Sequence, residues 1–209
     1  MKKRVIYFLI LQIAVFQLFA CSEKEVESEK EAENEVGRGA LDKKEARAAV
    51  EYLNKVRGNP SAYSEEIGCD LSYVASRHPL VWNEKLAAVA ERKALDMANR
   101  NYFSHIDPDG YGMNYYINKA GYTLTAAFLK DKTTTNFESI GAGYQTGIKV
   151  IQGLILDKNY PKGDEGHRIH LLGIHAFWSN CYDIGIGFVH SKNSTYSTYC
   201  CILIAKHDF

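Results

Sequence analysis

The sequence lacks most of the signatures that announce a chemistry. It has no His-Glu-x-x-His pair, no Cys-x-x-Cys pair, no Gly-x-Ser-x-Gly elbow and no phosphate-binding loop. The first two absences exclude a helical zinc-protease motif and a local structural zinc site. The other two exclude elbow-type hydrolases and P-loop nucleotide hydrolysis. Charge of one sign is also missing. The 25 Lys and Arg offset the 25 Asp and Glu, and no basic patch stands out, so nucleic acid is not an expected partner. The chain shows no internal repeat and no second linker inside its main domain.

What is present begins with a leader. Lys2, Lys3 and Arg4 form a basic start, and residues 5–20 carry no charge, with Gln12 and Gln17 the only strongly polar side chains. That run suits a secretory signal core and falls short of the roughly 20 residues a membrane-spanning helix needs. It ends Leu18-Phe19-Ala20-Cys21, which resembles the lipobox at which bacterial lipoproteins are cleaved and lipidated. Phe19 is bulkier than that motif usually carries, so cleavage elsewhere and an uncleaved anchor helix are the alternatives. Each places the remainder outside the cytoplasm.

Residues 22–38 hold seven Glu against Lys24, Lys30 and Arg38, with Val26 and Val36 the only sizeable apolar side chains. Such a stretch buries too little apolar surface to offset its ordering entropy, and a helix there would have no stripe to pack. An extended, mobile tether is expected. An acidic run straight after the cysteine resembles the surface-export signals of some Gram-negative lipoproteins. The expected organisation is a signal peptide over 1–20, a lipidated Cys21 with its tether over 21–40, and one domain over 41–209. That places the protein outside the cytoplasm, lipid-anchored to the cell envelope at the outer membrane and surface-exposed. Loss of the leader removes three basic residues and leaves a net charge of −3.

The domain starts with helices and ends with strands. Asp42, with Glu45 three residues on, starts a helix whose buried stripe is Ala46, Ala49, Val50 and Leu53. Gly58-Asn59-Pro60 ends it, and Ser61 is expected to cap a short helix through Ile67. Asn83 caps the clearest helix, with Leu86, Val89, Ala90, Ala94 and Met97 at helical spacing up to about Asn101. Asp107-Pro108-Asp109-Gly110 is similar to the start of a calcium loop but lacks the later ligands, so a turn is expected. A short helix over 113–120 stops at Gly121, residues 134–140 look extended, and 147–158 read as helix. Residues 183–190 and 196–205 should pair as an antiparallel hairpin about the turn Lys192-Asn193-Ser194.

Four polar residues sit where apolar neighbours pull them inward. His105 follows Tyr102-Phe103, Glu138 shares a strand face with Ile140, Asp157 lies on the apolar flank of its helix, and His167 precedes Arg168-Ile169. A carboxylate drawn inward needs a partner, because burying it alone is costly. Two histidines and two acids are natural partners. His167 and His170, three apart, can share a helix face. For His78, His175, His190 and His207 a surface or simple hydrogen-bonded role is the plain reading.

The ordered runs Phe103-Ser104-His105-Ile106-Asp107-Pro108-Asp109-Gly110, Ala120-Gly121-Tyr122, Phe137-Glu138-Ser139-Ile140-Gly141, Gly166-His167-Arg168 and Asp183-Ile184-Gly185-Ile186-Gly187 resemble the CAP superfamily. That family takes in cysteine-rich secretory, antigen 5 and pathogenesis-related proteins, with SCP-like bacterial members. Leu53-Asn54-Lys55-Val56-Arg57 resembles its first-helix pattern, and the similarity spans about 41–209. The resemblance implies an α+β fold, a three-layer α-β-α sandwich with a small antiparallel sheet. It also implies a cleft lined by His105, Glu138, Asp157 and His167, in which His105 and His167 hold a divalent metal such as zinc in some members. Three departures mark this chain: Ser139 where Asn is usual, Asp157 in place of a frequent Glu, and His170 where Asn is common.

The function implied is a non-enzymatic module binding a lipid, a small molecule or a protein, with the membrane reached through the lipid anchor. The alternatives are a purely structural polar network without metal and a metal-dependent, peptidase-like hydrolase using Glu138 as general base. No activated Ser or Cys nucleophile is visible. Once Cys21 is lipidated, Cys69, Cys181, Cys200 and Cys201 remain. At most one bridge is expected, joining the terminal strands to Cys69 or Cys181. Cys21→Ser should abolish incorporation of radiolabelled fatty acid while leaving the domain folded; continued incorporation would end the lipoprotein reading.

Overall fold

The computed structural model describes residues 39–158 and 166–206. The expectations for the leader, Cys21, the tether up to residue 38 and His207 lie outside the described residues. A compact unit runs Gly39–Phe209.

Its centre is a hairpin. Strand β4 (Asp183–His190) pairs antiparallel with β5 (Thr198–Ala205), in register from Asp183 opposite Ala205 to His190 opposite Thr198. On the far side of β5 lies β3 (Glu138–Ala142), also antiparallel. Two short strands border β4: β1 (Ala40–Leu41) runs antiparallel at its end, and β2 (Val81–Trp82) runs parallel at its start. Every residue of β5 is buried. A strand covered on both faces carries a near-continuous apolar run, which is how Tyr199 to Ala205 read. The pleat still sorts them: Cys200, Ile202 and Ile204 enter one core, and Tyr199, Cys201, Leu203 and Ala205 the other.

The first core is closed by α1 (Lys43–Gly58), the short α2 (Ser64–Ile67), α5 (Gly147–Leu156) and α6 (Gly166–Leu172). The second is closed by α3 (Glu84–Asn99) and α4 (Met113–Lys119). The result is helices, sheet, helices: the α+β sandwich. The one-turn helix α7 (Ala176–Ser179) leads into β4, and its Trp178 touches both cores. Each fully buried Leu, Ile or Val in these cores contributes about 1.5–3 kcal/mol through removal of apolar surface from water.

The helix starts follow their capping residues. Asp42 Oδ1 accepts the Glu45 N–H at 3.0 Å, and Asn83 Oδ1 accepts those of Lys85 and Leu86 at 3.0 and 3.2 Å. Ser61 does not cap a helix. It lies inside a 3-10 turn (Pro60–Tyr63), because Pro60 supplies the fixed φ of a first helical position and the turn begins there. The extended segment is shorter and later than expected, since hydrogen-bonded turns occupy much of 131–137 before β3 starts at Glu138. Helix α5 stops at Leu156. Among the described residues no disulfide joins Cys69, Cys181, Cys200 or Cys201, and Cys200 and Cys201 lie on opposite faces of β5.

Gly185 and Gly187 set how closely α3 lies on the sheet. A Cβ at Gly185 would stand 2.2 Å from the Ala87 nitrogen, and one at Gly187 would stand 2.4 Å from the Ala90 carbonyl oxygen. Helix backbone rests directly on strand backbone there, and only glycine permits it. Gly185→Ala should therefore destabilise the domain by about 1–3 kcal/mol or more, read as a drop in Tm. Gly58→Ala, where a Cβ meets nothing within 4 Å, should leave Tm within a few degrees of wild type. Equal stability of the two variants would contradict the close approach.

Candidate functional site

The four singled-out residues form two imidazole–carboxylate pairs. His105 Nδ1 lies 2.7 Å from Glu138 Oε2, and His167 Nδ1 lies 3.0 Å from Asp157 Oδ1. The burial is asymmetric. The His105 side chain is 41% exposed over a Glu138 side chain at 0%, and that of His167 is 18% exposed over Asp157 at 4%. The acids are buried, the His105 ring is partly open to solvent and the His167 ring less so. A carboxylate accepts, so with the acids ionised each ring donates from Nδ1 and turns Nε2 away from its acid.

Glu138 opens β3 and shares the pleat face of Ile140, opposite Leu203 of β5. Its other oxygen, Oε1, accepts a weak hydrogen bond from the Cys201 thiol at 3.5 Å, so imidazole and thiol share one buried carboxylate. Burial, and then the neighbouring Glu138 charge, push the Cys201 thiol well above its ordinary pKa, so it remains a protonated donor.

The second pair is built at the junction of α5 and α6. Asp157 does not lie within its helix. It is the C-cap, in the left-handed region at φ 49° that Asp tolerates better than most residues. From there Oδ2 accepts the His167 backbone N–H at 3.1 Å, near the start of α6, while Oδ1 meets the ring. The next residue fixes the joint: Arg168 Nε and Nη2 donate to the carbonyls of Ile155 and Leu156 at 2.6 and 2.8 Å, filling the open C-terminal end of α5.

Two departures from the family pattern turn out to be partners. Ser139 Oγ and His170 Nδ1 are 2.7 Å apart, and both side chains are buried. Ser139 points to the face opposite Glu138, toward α6, where His170 packs 4.6 Å from the Trp178 ring. His170 is thus not an open third ligand at the surface but a core residue within electrostatic range of both His167 and His105. Among the described residues its Nε2 has no hydrogen bond of good geometry. Burial pushes its pKa down to about 3, against a smaller upward pull from the Ile204 backbone.

Three polar residues to which the sequence reading gave no role at the site hold its surroundings. Lys93 is 1% exposed on α3 and donates to the loop that carries His105. Its signal was visible, a cation between Val89 and Met97 at spacings of four on a buried stripe. Asp107 accepts from the backbone N–H groups of Asp109 and Tyr111 and from the Tyr116 hydroxyl at 2.6 Å. Burial opposes its ionisation, but these bonds hold it below its ordinary value. Arg57, buried on α1, donates to the Leu171 carbonyl at 2.7 Å and ties α6 to the first core. Phe103, Ile106 and Tyr196 are exposed around the His105 loop, with Phe103 and Tyr196 in edge contact at 5.7 Å.

Rings held at Nδ1 by acids match the outer arrangement common around zinc-bound histidines. They fit a divalent ion in ligand type, though two protein ligands are fewer than the three or four of most zinc sites. Among the described residues no group of three or more His, Cys, Asp or Glu is arranged to hold a metal.

Comparison with known proteins agrees with this fold. The model of the CAP, cysteine-rich secretory protein, family matches residues 50–203, and the chain belongs to that family. An outer surface protein of Borrelia burgdorferi has a similar fold at 14% identity and a TM-score of 0.54, over 82% of this chain and 99% of that one. An extracellular SCP-domain protein of Bacillus anthracis matches at 20% identity and a TM-score of 0.46, over 77% of this chain. This chain spans 41% of the length of that protein. No curated protein sequence matches.

His170 gives the site a pH signature. The folded protein keeps it neutral, whereas the unfolded chain protonates it below about pH 6.5. Its contribution to stability is therefore present above pH 6.5 and is lost as the pH falls toward 3, at up to about 1.4 kcal/mol per unit. Urea unfolding of His170→Gln between pH 6.5 and 5 should show a flatter pH dependence than wild type. An unchanged slope would contradict the buried neutral ring.

Proposed function

We propose that the protein is an extracytoplasmic CAP-domain lipoprotein, lipidated at Cys21, that binds a ligand or partner at the His105, Glu138, Asp157 and His167 cleft without catalysing its conversion. The observation that supports this reading is the asymmetry of the two pairs, each ring more exposed than the acid it meets, with exposed Phe103 and Ile106 on the loop that carries His105. Convergent polar groups beside apolar walls are what a binding site requires. A hydrolase needs an accessible nucleophile as well. The hydroxyl–imidazole pair close by, Ser139 with His170, is buried and so does not meet solvent or substrate. The leader and lipobox support export and anchoring, and the likeness to an outer surface protein supports the extracytoplasmic location.

A divalent metal such as zinc deepens this reading. His105 and His167 would hold it, and their acids would orient the rings. The metal would supply a positive centre for a ligand oxygen or carboxylate. Affinity should be modest, since two protein ligands leave the rest of the coordination to water or ligand. Calorimetric zinc titration tests the point. The double variant His105→Ala with His167→Ala should lose zinc binding while its helical circular dichroism persists. Equal binding by wild type and variant would remove the metal and leave the pairs as a bracing network.

A further inference from the structure

The loop carrying His105 has no regular secondary structure over residues 102–112, yet its ring meets Glu138 at 2.7 Å. Something must hold the backbone. Lys93 reaches it from α3 beneath: Nζ donates to the Ser104 carbonyl at 2.8 Å, to the His105 carbonyl at 3.1 Å and to the Tyr102 hydroxyl at 3.2 Å. These are three acceptors for the three N–H bonds of an ammonium group. The Tyr102 hydroxyl in turn donates to Asp96 Oδ2 at 2.6 Å, and Tyr102 lies under the ammonium at 4.9 Å from its ring centre.

A buried ammonium held by carbonyls and a hydroxyl is costly unless its charge is also balanced nearby. The nearby acids are Glu138, which with Lys93 lies in electrostatic range of the Cys201 thiol, and Asp107, which feels the Lys93 charge directly. The loop is thereby fixed toward both of its ends. Lys93 holds residues 102–105, and Asp107 holds 109–111 through the backbone N–H groups it accepts. His105 lies between these anchors.

We infer that Lys93 is the positioning residue of the cleft: its ammonium clamps the Ser104 and His105 carbonyls so that the His105 ring delivers its Nδ1 proton to Glu138 before any ligand arrives. The inference rests on the reading of His105 as a cleft residue and adds that the cleft is preformed from the α3 side. Binding then incurs little ordering cost at this ring, which is the advantage of a supported functional group over one on a free loop.

The test compares wild type with Lys93→Met, which keeps an unbranched apolar stem one atom shorter and removes all three donors. Two readouts are used: the His105 Nδ1 proton in 15N-edited NMR, and zinc affinity by calorimetry. In wild type the Nδ1 proton bonded to buried Glu138 should be protected from solvent and visible. In folded Lys93→Met it should be lost to exchange while the His167 signal stays, and zinc binding should weaken about tenfold. A folded variant that keeps the His105 proton as in wild type overturns the inference. Should the methionine variant fail to fold, Lys93→Gln, with a shorter stem and one amide donor group, is judged by the same signal. Wild type that shows the protected proton but binds no zinc would end the metal reading and leave the clamp standing.

Discussion

The β4–β5 hairpin is buried on both faces, and most of the domain follows from that. Two layers of helices must cover it, so one face takes α1, α5 and α6 while the other takes α3 and α4. With no polar face to spare, side-chain volume is rationed where a helix comes closest. Gly185 and Gly187 remove the Cβ atoms that would meet the α3 backbone, and α3 settles onto the strand. Strand β3 then sits at the sheet margin, beside the loop that follows α3 and close to α6. Its first two residues point to opposite faces. Glu138 meets His105 on one side, and Ser139 meets His170 on the other.

Polar groups in such a setting must be satisfied locally, and the structure does so with charge placed next to chain ends and loops. Arg168 fills the open end of α5, Asp157 reaches from that end to α6, Arg57 holds the end of α6, and Lys93 holds the His105 loop. The three buried cations in this set all donate to backbone carbonyls. Removing one would leave carbonyls unpaired in the core, a loss of about 1–3 kcal/mol for each group so stranded. These contacts hold the backbone segments that carry the two imidazole–carboxylate pairs.

Much of this was legible in the sequence, for identifiable reasons. Helices α1 and α3 announce themselves through Asp42 and Asn83 as caps and through apolar residues at helical spacing. The terminal hairpin was legible because a polar turn divides two strand-like runs. The choice of His105, Glu138, Asp157 and His167 was sharpened by the family resemblance, but which ring meets which acid was not legible, since spacing alone cannot say. Other features were hidden for physical reasons. The left-handed cap at Asp157 depends on Arg168 closing α5, a contact between helices that no local pattern displays. The bond between Ser139 and His170 joins two departures from the family pattern, each of which looks like a loss when read singly. Lys93 drew no attention because Lys is usually at the surface; only its place on the buried stripe marked it.

Whether His105 and His167 serve one ligand is tested most directly by diffraction. Crystals of the domain soaked in zinc, with anomalous difference density measured at the zinc absorption edge, should show one peak within about 2.0–2.1 Å of an imidazole nitrogen of each histidine. Separate peaks at the two rings, or density at the cysteines with both imidazoles bare, would contradict a shared cleft.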